Sequence, residues 1–415
     1  MNNKRVVITG IGVVSPIGNS KAEFWSSIIN GRGGIGPITK FDVSEHTSKI
    51  AGEVKNFDAS QLLNSKESRR MDGFVQYALV AADEAIKDSK LNLEAENPQR
   101  IGCLVASGIG GLTTIEEQHK ILLEKGAKRV SPFLIPMLIV NMAPGQIAIS
   151  YNLKGPNFSV VTACASSNHG LGEAYRIIQN GKADVMVAGG TENAITPLGL
   201  AGFCSAKALS TRNDDPEHAS RPFDKDRDGF IMAEGAAILV LESLEHALAR
   251  KANIVAEIVG YGATCDAYHI TAPDPEAKGA ISSMELTLED AGLSADEVDY
   301  INAHGTSTIL NDKIETKAIK TVFKEHAKKL MISSTKSMTG HMLGAAGAIE
   351  AAVTALALKE GIIPPTINYS VPDPDCDLDY TPNQAKKTDF NVALSNSLGF
   401  GGHNATIALK KYNES

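Results

Sequence analysis

Tryptophan occurs once in this chain of 415 residues, and aromatic residues make up only 5% of it. The five cysteines, Cys103, Cys164, Cys204, Cys265 and Cys376, form no CxxC pair. An odd, scattered set excludes a disulfide framework and gives no zinc-ligand spacing; a reducing cytoplasm suits it. Positive charge is not in excess. The net charge is −8, so bulk electrostatics offer nothing to a nucleic acid. No stretch approaches the ~20 apolar residues of a membrane span. The N-terminal MNNKRVVITGIGVVSPIGN has its apolar run broken by glycines and reads as a first strand and turn, not a signal peptide. HExxH is absent. GIGVVS puts Ser15, followed by Pro16, where a dinucleotide fingerprint needs a small residue opening a helix. ASGIGG (106–111) lacks the GK[ST] of a phosphate loop.

What is present is globular: 43% hydrophobic residues, 37 glycines and 17 prolines. The length suits two or three ordinary domains or one large duplicated one. Strand-like runs (KRVVITGIG, RIGCLVASG, ADVMVAGG, AAILVLESL, VDYINAHG, LMISSTK, NVALSNS) alternate with helical stretches such as MDGFVQYALVAADEAIKDS and IEAAVTALALKEG. This is an α/β pattern with buried sheets.

The chain also resembles itself. HGLGEAYRI (169–177) matches HMLGAAGAI (341–349) at five of nine positions. In nearly the same register, GFIMAEGAAILVL from Gly229 faces GFGGHNATIALKK from Gly399. Two matches in near-constant register point to a duplicated α/β unit whose halves, 1–255 and 256–415, meet near residue 255. Pseudo-twofold packing then brings the helix start at Cys164 and the one at Lys336 and His341 toward a shared centre.

Four segments are chemically dense. In VVTACASSNHG (160–170), Val160 to Thr162 favour a buried strand and Ser166 to Asn168 favour a turn and helix start. Cys164 there is either a nucleophile helped by the helix dipole or a small buried hydrophobe. NAHGTSTILND (302–312) places His304 at a strand exit, and SSTKSMTGHMLGAAG (333–347) places Lys336 and His341 on a similar loop. SNSLGFGGHN (395–404) is a glycine-rich turn between two strands with Phe400 at its tip. Strand-exit loops are where α/β proteins put chemistry. His46, His119, His218, His246 and His326 read as surface or satisfied core residues.

Cys164, His304, Lys336, His341 and GFGG, in that order, resemble the β-ketoacyl-acyl carrier protein synthases, elongating condensing enzymes of type II fatty acid synthesis in the thiolase superfamily. TACAS, HGTST…ND…ET, STKSMTGHMLGAAG and SNSLGFGG carry the likeness over nearly the whole chain, and the pattern is most similar to the synthase II branch. Ile309 and His403 depart from the residues common at their positions. The resemblance implies a thiolase-like fold of two duplicated halves in five α-β-α-β-α layers, usually a homodimer. It implies an acyltransferase that extends a Cys164-bound acyl chain by two carbons from malonyl-carrier. His304 and His341 would stabilise the enolate, Lys336 would support them with Glu350 as its partner, and the N–H groups of Cys164 and Phe400 would hold the oxyanion. Thr306 and Thr308 would bind the phosphopantetheine arm, Ile109 and Phe203 would line the acyl pocket, and Lys66, Arg69, Arg70 and Lys207 would dock an acidic acyl carrier protein. No cofactor or catalytic metal is implied, although a structural monovalent cation near Asn302, Glu350 and Ser395 is. A degradative thiolase would need a second active-site cysteine, and a silent chain-length partner subunit would lack Cys164.

Overall fold

The computed structural model describes residues 3–60 and 62–413. Ten strands share one sheet: β1 (Val6–Val14), β2 (Ile101–Ala106), β3 (Asn157–Phe158), β4 (Val185–Glu192), β5 (Gly235–Ser243), β6 (Ala256–Cys265), β7 (Tyr300–Asn302), β8 (Met331–Ser333), β9 (Val392–Gly399) and β10 (His403–Lys410). Their order across the sheet is β3-β2-β4-β5-β1-β6-β10-β9-β7-β8. Outward from the centre, each side shows two antiparallel pairings followed by two parallel ones. The order is thus a palindrome about the β1–β6 seam, where Val6–Ile8 pair antiparallel with Ala256–Ile258. That is the signature of two copies of one unit. The repeat seen in sequence falls on β5 and β10, which hold equivalent places. Ile258 of β6 has Val6 of the first strand on one side and Leu409 of the last on the other.

Five helices complete the layers: α1 (Gly73–Ser89), α2 (Ser166–Gln179), α3 (Lys278–Ala291), α4 (Ile309–Phe323) and α5 (Ala346–Glu360). α1 covers β1 and β5 on one outer face, while α3 covers β6 and β10 on the other with α4 beside it. α2 and α5, the second pair of repeat copies, pack against each other between the two halves of the sheet. The result is an α-β-α-β-α stack. α5 buries 13 of its 15 residues, as a helix enclosed on all sides must, and its alanines keep this middle layer thin. The central apolar cluster joins Leu171, Tyr175 and Ile178 of α2 to Ile349, Val353 and Leu358 of α5.

Glycine sets how closely the outer helices lie. A Cβ on Gly10 or Gly12 would come within 2.2 or 2.0 Å of a carbonyl oxygen of α1. On Gly260 or Gly262 of β6 it would come within 2.5 or 2.2 Å of one of α3. The G-x-G that resembled half a nucleotide fingerprint is therefore a packing device, used once in each half.

The strand expected over Val160–Thr162 is not formed. Ladder pairing stops at Phe158 of β3, an edge strand, and Val161 is half exposed. Among the described residues no ladder pairing continues past Phe158 to hold these β-branched residues in a strand.

Candidate active site

Cys164 sits one residue before the N-cap of α2, Ala165. Ala163 is forced to a φ of +51°, in the left-handed region that a residue with a Cβ enters only when its surroundings hold it. Ser166 supplies that hold. Its Oγ accepts from the Thr162 N–H at 2.8 Å and donates to the Ala163 carbonyl at 2.6 Å. The turn thrusts the half-buried Cys164 side chain into a cavity of about 330 Å³. Burial pushes the thiol up to about 12, against the pull of Lys336 and of the Phe400 and Cys164 backbone N–H groups, which bond toward the sulfur. Desolvation is the largest of these influences, so the group is a thiol at pH 7.

The other half of the molecule supplies the opposite wall. His304 leaves β7, and its loop is clamped by Glu315 of α4, whose buried carboxylate accepts the His304 and Gly305 N–H groups, each at 2.8 Å. His341 is fixed through its main chain: its N–H donates to the Ile231 carbonyl at 2.7 Å and its carbonyl accepts from Ala233 at 2.9 Å. The two imidazoles meet edge to face with centroids 5.3 Å apart. The Cys164 sulfur and one ring nitrogen of each lie within 4.8 Å of one another. Burial first, then the Lys336 charge, hold both histidines well below their ordinary value, so both rings are neutral at pH 7.

Lys336 stands in a one-turn helix, Lys336–Thr339, not a loop. Its Nζ pairs with Glu350 of α5 and lies 3.4 Å from His304 Nδ1. An ammonium only donates, so His304 Nδ1 must accept and the ring proton belongs on Nε2. Lys336 and Glu350 are both buried, and a buried lysine needs such a partner.

Phe400 lies in the turn between β9 and β10, and Gly401 and Gly402 take positive φ, +84° and +74°. Phe400, Thr306, Thr308, Phe203 and Lys207 all line the cavity. The Thr306 and Thr308 hydroxyls are 3.0 Å apart. Ile109 packs in the apolar cluster that holds Cys164 and Phe203, off the cavity wall. Lys66, Arg69, Arg70 and Lys207 are exposed, and the Arg70 guanidinium stacks 4.5 Å from the Phe133 ring.

Two places could take a cation. Cys164, His304 and His341 have donor atoms of the right kind, but the Lys336 ammonium beside them opposes a second positive charge. The other has oxygen donors: Asn302 Oδ1, Glu350 Oε2 and Ser395 Oγ are buried without a hydrogen-bond partner, with Asn302 and Ser395 opposite each other on β7 and β9. That donor set fits a hard monovalent ion.

Sequence reasoning missed three buried acids around the site. Glu315 carries the His304 loop. Asp312 accepts from the Phe223 N–H at 2.8 Å and faces Arg227, whose guanidinium also donates to the Thr308 and Ile309 carbonyls at 3.1 Å. Glu192 ends β4. Its signal was legible: VMVAGGTE closes a fully buried strand on a carboxylate, which must find donors.

Comparison with known proteins gives a consistent answer. A family model described as beta-ketoacyl synthase, N-terminal domain, matches residues 3–247, and one for the C-terminal domain matches 255–370. A protein of Synechocystis sp. named 3-oxoacyl-[acyl-carrier-protein] synthase 2 is 56% identical over 412 residues, 99% of each chain. A beta-ketoacyl synthase structure from Burkholderia phymatum superposes with a TM-score of 0.92 at 36% identity, covering 99% of this chain and 100% of the other. A type II polyketide ketosynthase, solved with its acyl-carrier protein and a bound hexaketide, gives 0.90 at 36% identity, with 99% and 100% covered.

Proposed function

The chain belongs to the β-ketoacyl synthase family, and from that premise we propose how its own residues carry out the condensation that lengthens a fatty acyl chain. It is an acyltransferase-class condensing enzyme of fatty acid elongation. The observation that carries the reading is the convergence of donor atoms of Cys164, His304 and His341 within 4.8 Å of one another.

In the first half-reaction the Cys164 thiol attacks the thioester carbonyl of an acyl-carrier. The carbon–sulfur bond to the carrier breaks, its phosphopantetheine sulfur leaves as a thiol, and the acyl chain stays on Cys164. A thiol with so high a proton affinity must lose its proton during attack, and a neutral imidazole is at hand to relay it to the leaving sulfur. The Cys164 and Phe400 N–H groups receive the oxyanion. In the second, malonyl-carrier loses carbon dioxide and leaves an enolate. The Nε2–H of His304 and an N–H of His341 stabilise its oxygen. The enolate carbon attacks the acyl thioester, the bond to Cys164 breaks, the released sulfur takes up a proton from solvent to restore the thiol, and the product is 3-oxoacyl-carrier two carbons longer. Thr306 and Thr308 receive the phosphopantetheine arm, Phe203 lines the acyl end with Ile109 in the apolar cluster behind it, and Phe400 gates entry. On this reading the unit 1–255 brings the nucleophile and 256–415 the histidines.

The partner is an acidic acyl carrier protein, steered to Lys66, Arg69, Arg70 and Lys207. A monovalent cation held by Asn302, Glu350 and Ser395 would serve as structural support, balancing the Glu350 charge. Homodimerisation through β3 is supported by its free edge and by apolar Phe158, Val161 and Ile149 exposed near it. No helix among the described residues is long and apolar enough to cross a membrane; the unpaired thiols suit the cytoplasm.

The test separates the half-reactions. Cys164→Ala abolishes acyl-enzyme formation and condensation but keeps measurable malonyl decarboxylation. His304→Ala or His341→Ala does the reverse, losing most decarboxylation, about 100-fold or more, while Cys164 still acylates. Carbon dioxide release and acyl-enzyme mass are measured on all three. Equal loss of both steps in every folded variant refutes the assignment.

A further inference from the structure

The carboxylate of Glu192 is fully buried, and among the described residues no lysine or arginine pairs with it. Its charge is met by four donors. Oε1 accepts from the Ser107 hydroxyl at 2.8 Å and the Ile109 N–H at 3.2 Å. Oε2 accepts from the Gly108 N–H at 2.8 Å and the Gly344 N–H at 2.9 Å. Three donors come from the loop after β2, in the first half. The fourth comes from the second half, three residues after His341 in the turn that leads into α5.

The backbones meet here with no room for a side chain. A Cβ on Gly344 would lie 2.1 Å from the Gly108 nitrogen and 2.7 Å from Glu192 Oε2. One on Gly108 would lie 2.9 Å from the same oxygen and 3.5 Å from the Ala163 carbonyl, the residue before Cys164. The Ser107 hydroxyl in turn accepts from the Gly110 N–H at 3.1 Å. Without the carboxylate, three buried backbone N–H groups would be left without their partner. Neither loop would then hold its place against the other.

We propose that Glu192 is a positioning residue of the condensing site: its carboxylate fastens the Ser107–Ile109 loop of the first half to Gly344 of the second, and so fixes His341 in register with Cys164. It touches no substrate. The proposal rests on the family reading for the identity of the reaction, but not for the clamp.

Glu192 has a second effect that a merely structural residue would lack. It is among the charges that raise the Cys164 thiol, against Lys336 and the two N–H groups. Glu192→Gln keeps the shape and removes the charge. At pH 8 its Cys164 should react with iodoacetamide about three- to tenfold faster than wild type, because loss of the nearby negative charge favours the thiolate. Its condensation kcat should fall about 10- to 100-fold, because His341 loses register, while KM for acyl-carrier stays within about threefold.

Both are measured on the full chain, with alkylation assigned to Cys164 by peptide mass and a melting curve showing the variant folded. Ser107→Ala removes one donor of four and is the milder variant should Glu192→Gln fail to fold; its kcat should fall about three- to tenfold. Wild-type kcat in a folded Glu192→Gln, or in Ser107→Ala where the former does not fold, overturns the clamp. So does a kcat loss in Glu192→Gln with an unchanged alkylation rate and a proportionate loss of folded protein, which marks a role in stability alone. Faster alkylation with no condensation in any variant, wild type included, would count against the assigned reaction and leave the electrostatic part of the clamp standing.

Discussion

Cys164 meets opposing influences. Burial raises its proton affinity; Lys336 and two peptide N–H groups lower it; burial prevails at about 12. A group in that state carries very little thiolate at pH 7 to spend on stray electrophiles. Its alkylation rate should therefore climb about tenfold per pH unit from 6 to 10 without levelling off. Lys336→Met, which removes the nearest positive charge, should slow it several-fold at fixed pH. Stopped-time alkylation read by intact mass decides this; a plateau below pH 8 would mean that the helix start governs the sulfur after all.

At the scale of elements, a partly buried ion cluster ties β5 to the helix Leu244–Ala249 that follows it. Glu242 of β5 accepts from Thr9 and from Arg250, and from His246 Nδ1 at 2.6 Å; His246 Nε2 meets Glu96 at 3.0 Å. The bond to Glu242 raises His246 to about 9, against burial. Burial alone would raise Glu242, but Arg250, His246 and Thr9 bring it down to about 2. The raised histidine stabilises the fold fully below about pH 6.5, and that contribution fades as pH rises through 9. The lowered carboxylate stabilises it above about pH 4.5, and that part fades as pH falls toward 2. The melting temperature should thus be highest between about pH 5 and 6.5. His246→Gln should flatten the alkaline limb and cost about 2 kcal/mol at pH 6, read by calorimetry across pH; an unchanged alkaline limb would exclude the cluster as its source.

Much at this scale was legible in the sequence. The duplication could be read because α2 and α5 are both enclosed, so their small residues recur. Segments HGTST, STKS and GFGG could be read because each leaves a strand crowded with chemistry, and TACAS because its small residues open a helix. Glu192 could not be assigned partners, because Ser107 and Gly344 are 85 and 152 residues away from it. Ser15 and Pro16 ruled out a nucleotide turn, but that Gly10 and Gly12 are packing positions could not be read until α1 was seen on them. Val160–Thr162 misled because β-propensity says nothing about whether a neighbouring strand exists to pair with.

At the scale of the molecule, β6 lies between the first strand and the last, with Val6 and Leu409 flanking the same Ile258. Val6 and Leu409 are therefore about two interstrand spacings apart, roughly 10 Å, a gap that a linker of a few residues spans. The connection between the halves, around Ala252, is by contrast a surface turn with few duties. A circular permutant opened between Ala252 and Asn253 and closed from Asn413 to Asn3 would begin with the histidine half and end with the cysteine half, yet keep every strand pairing. It should fold to a condensing enzyme within about tenfold of the parent rate, measured as two-carbon extension of an acyl-carrier; failure of a soluble permutant to extend would show that synthesis order matters. If it succeeds, the order of the halves in the gene is an accident of which copy was translated first, and the reaction depends only on how the two face each other.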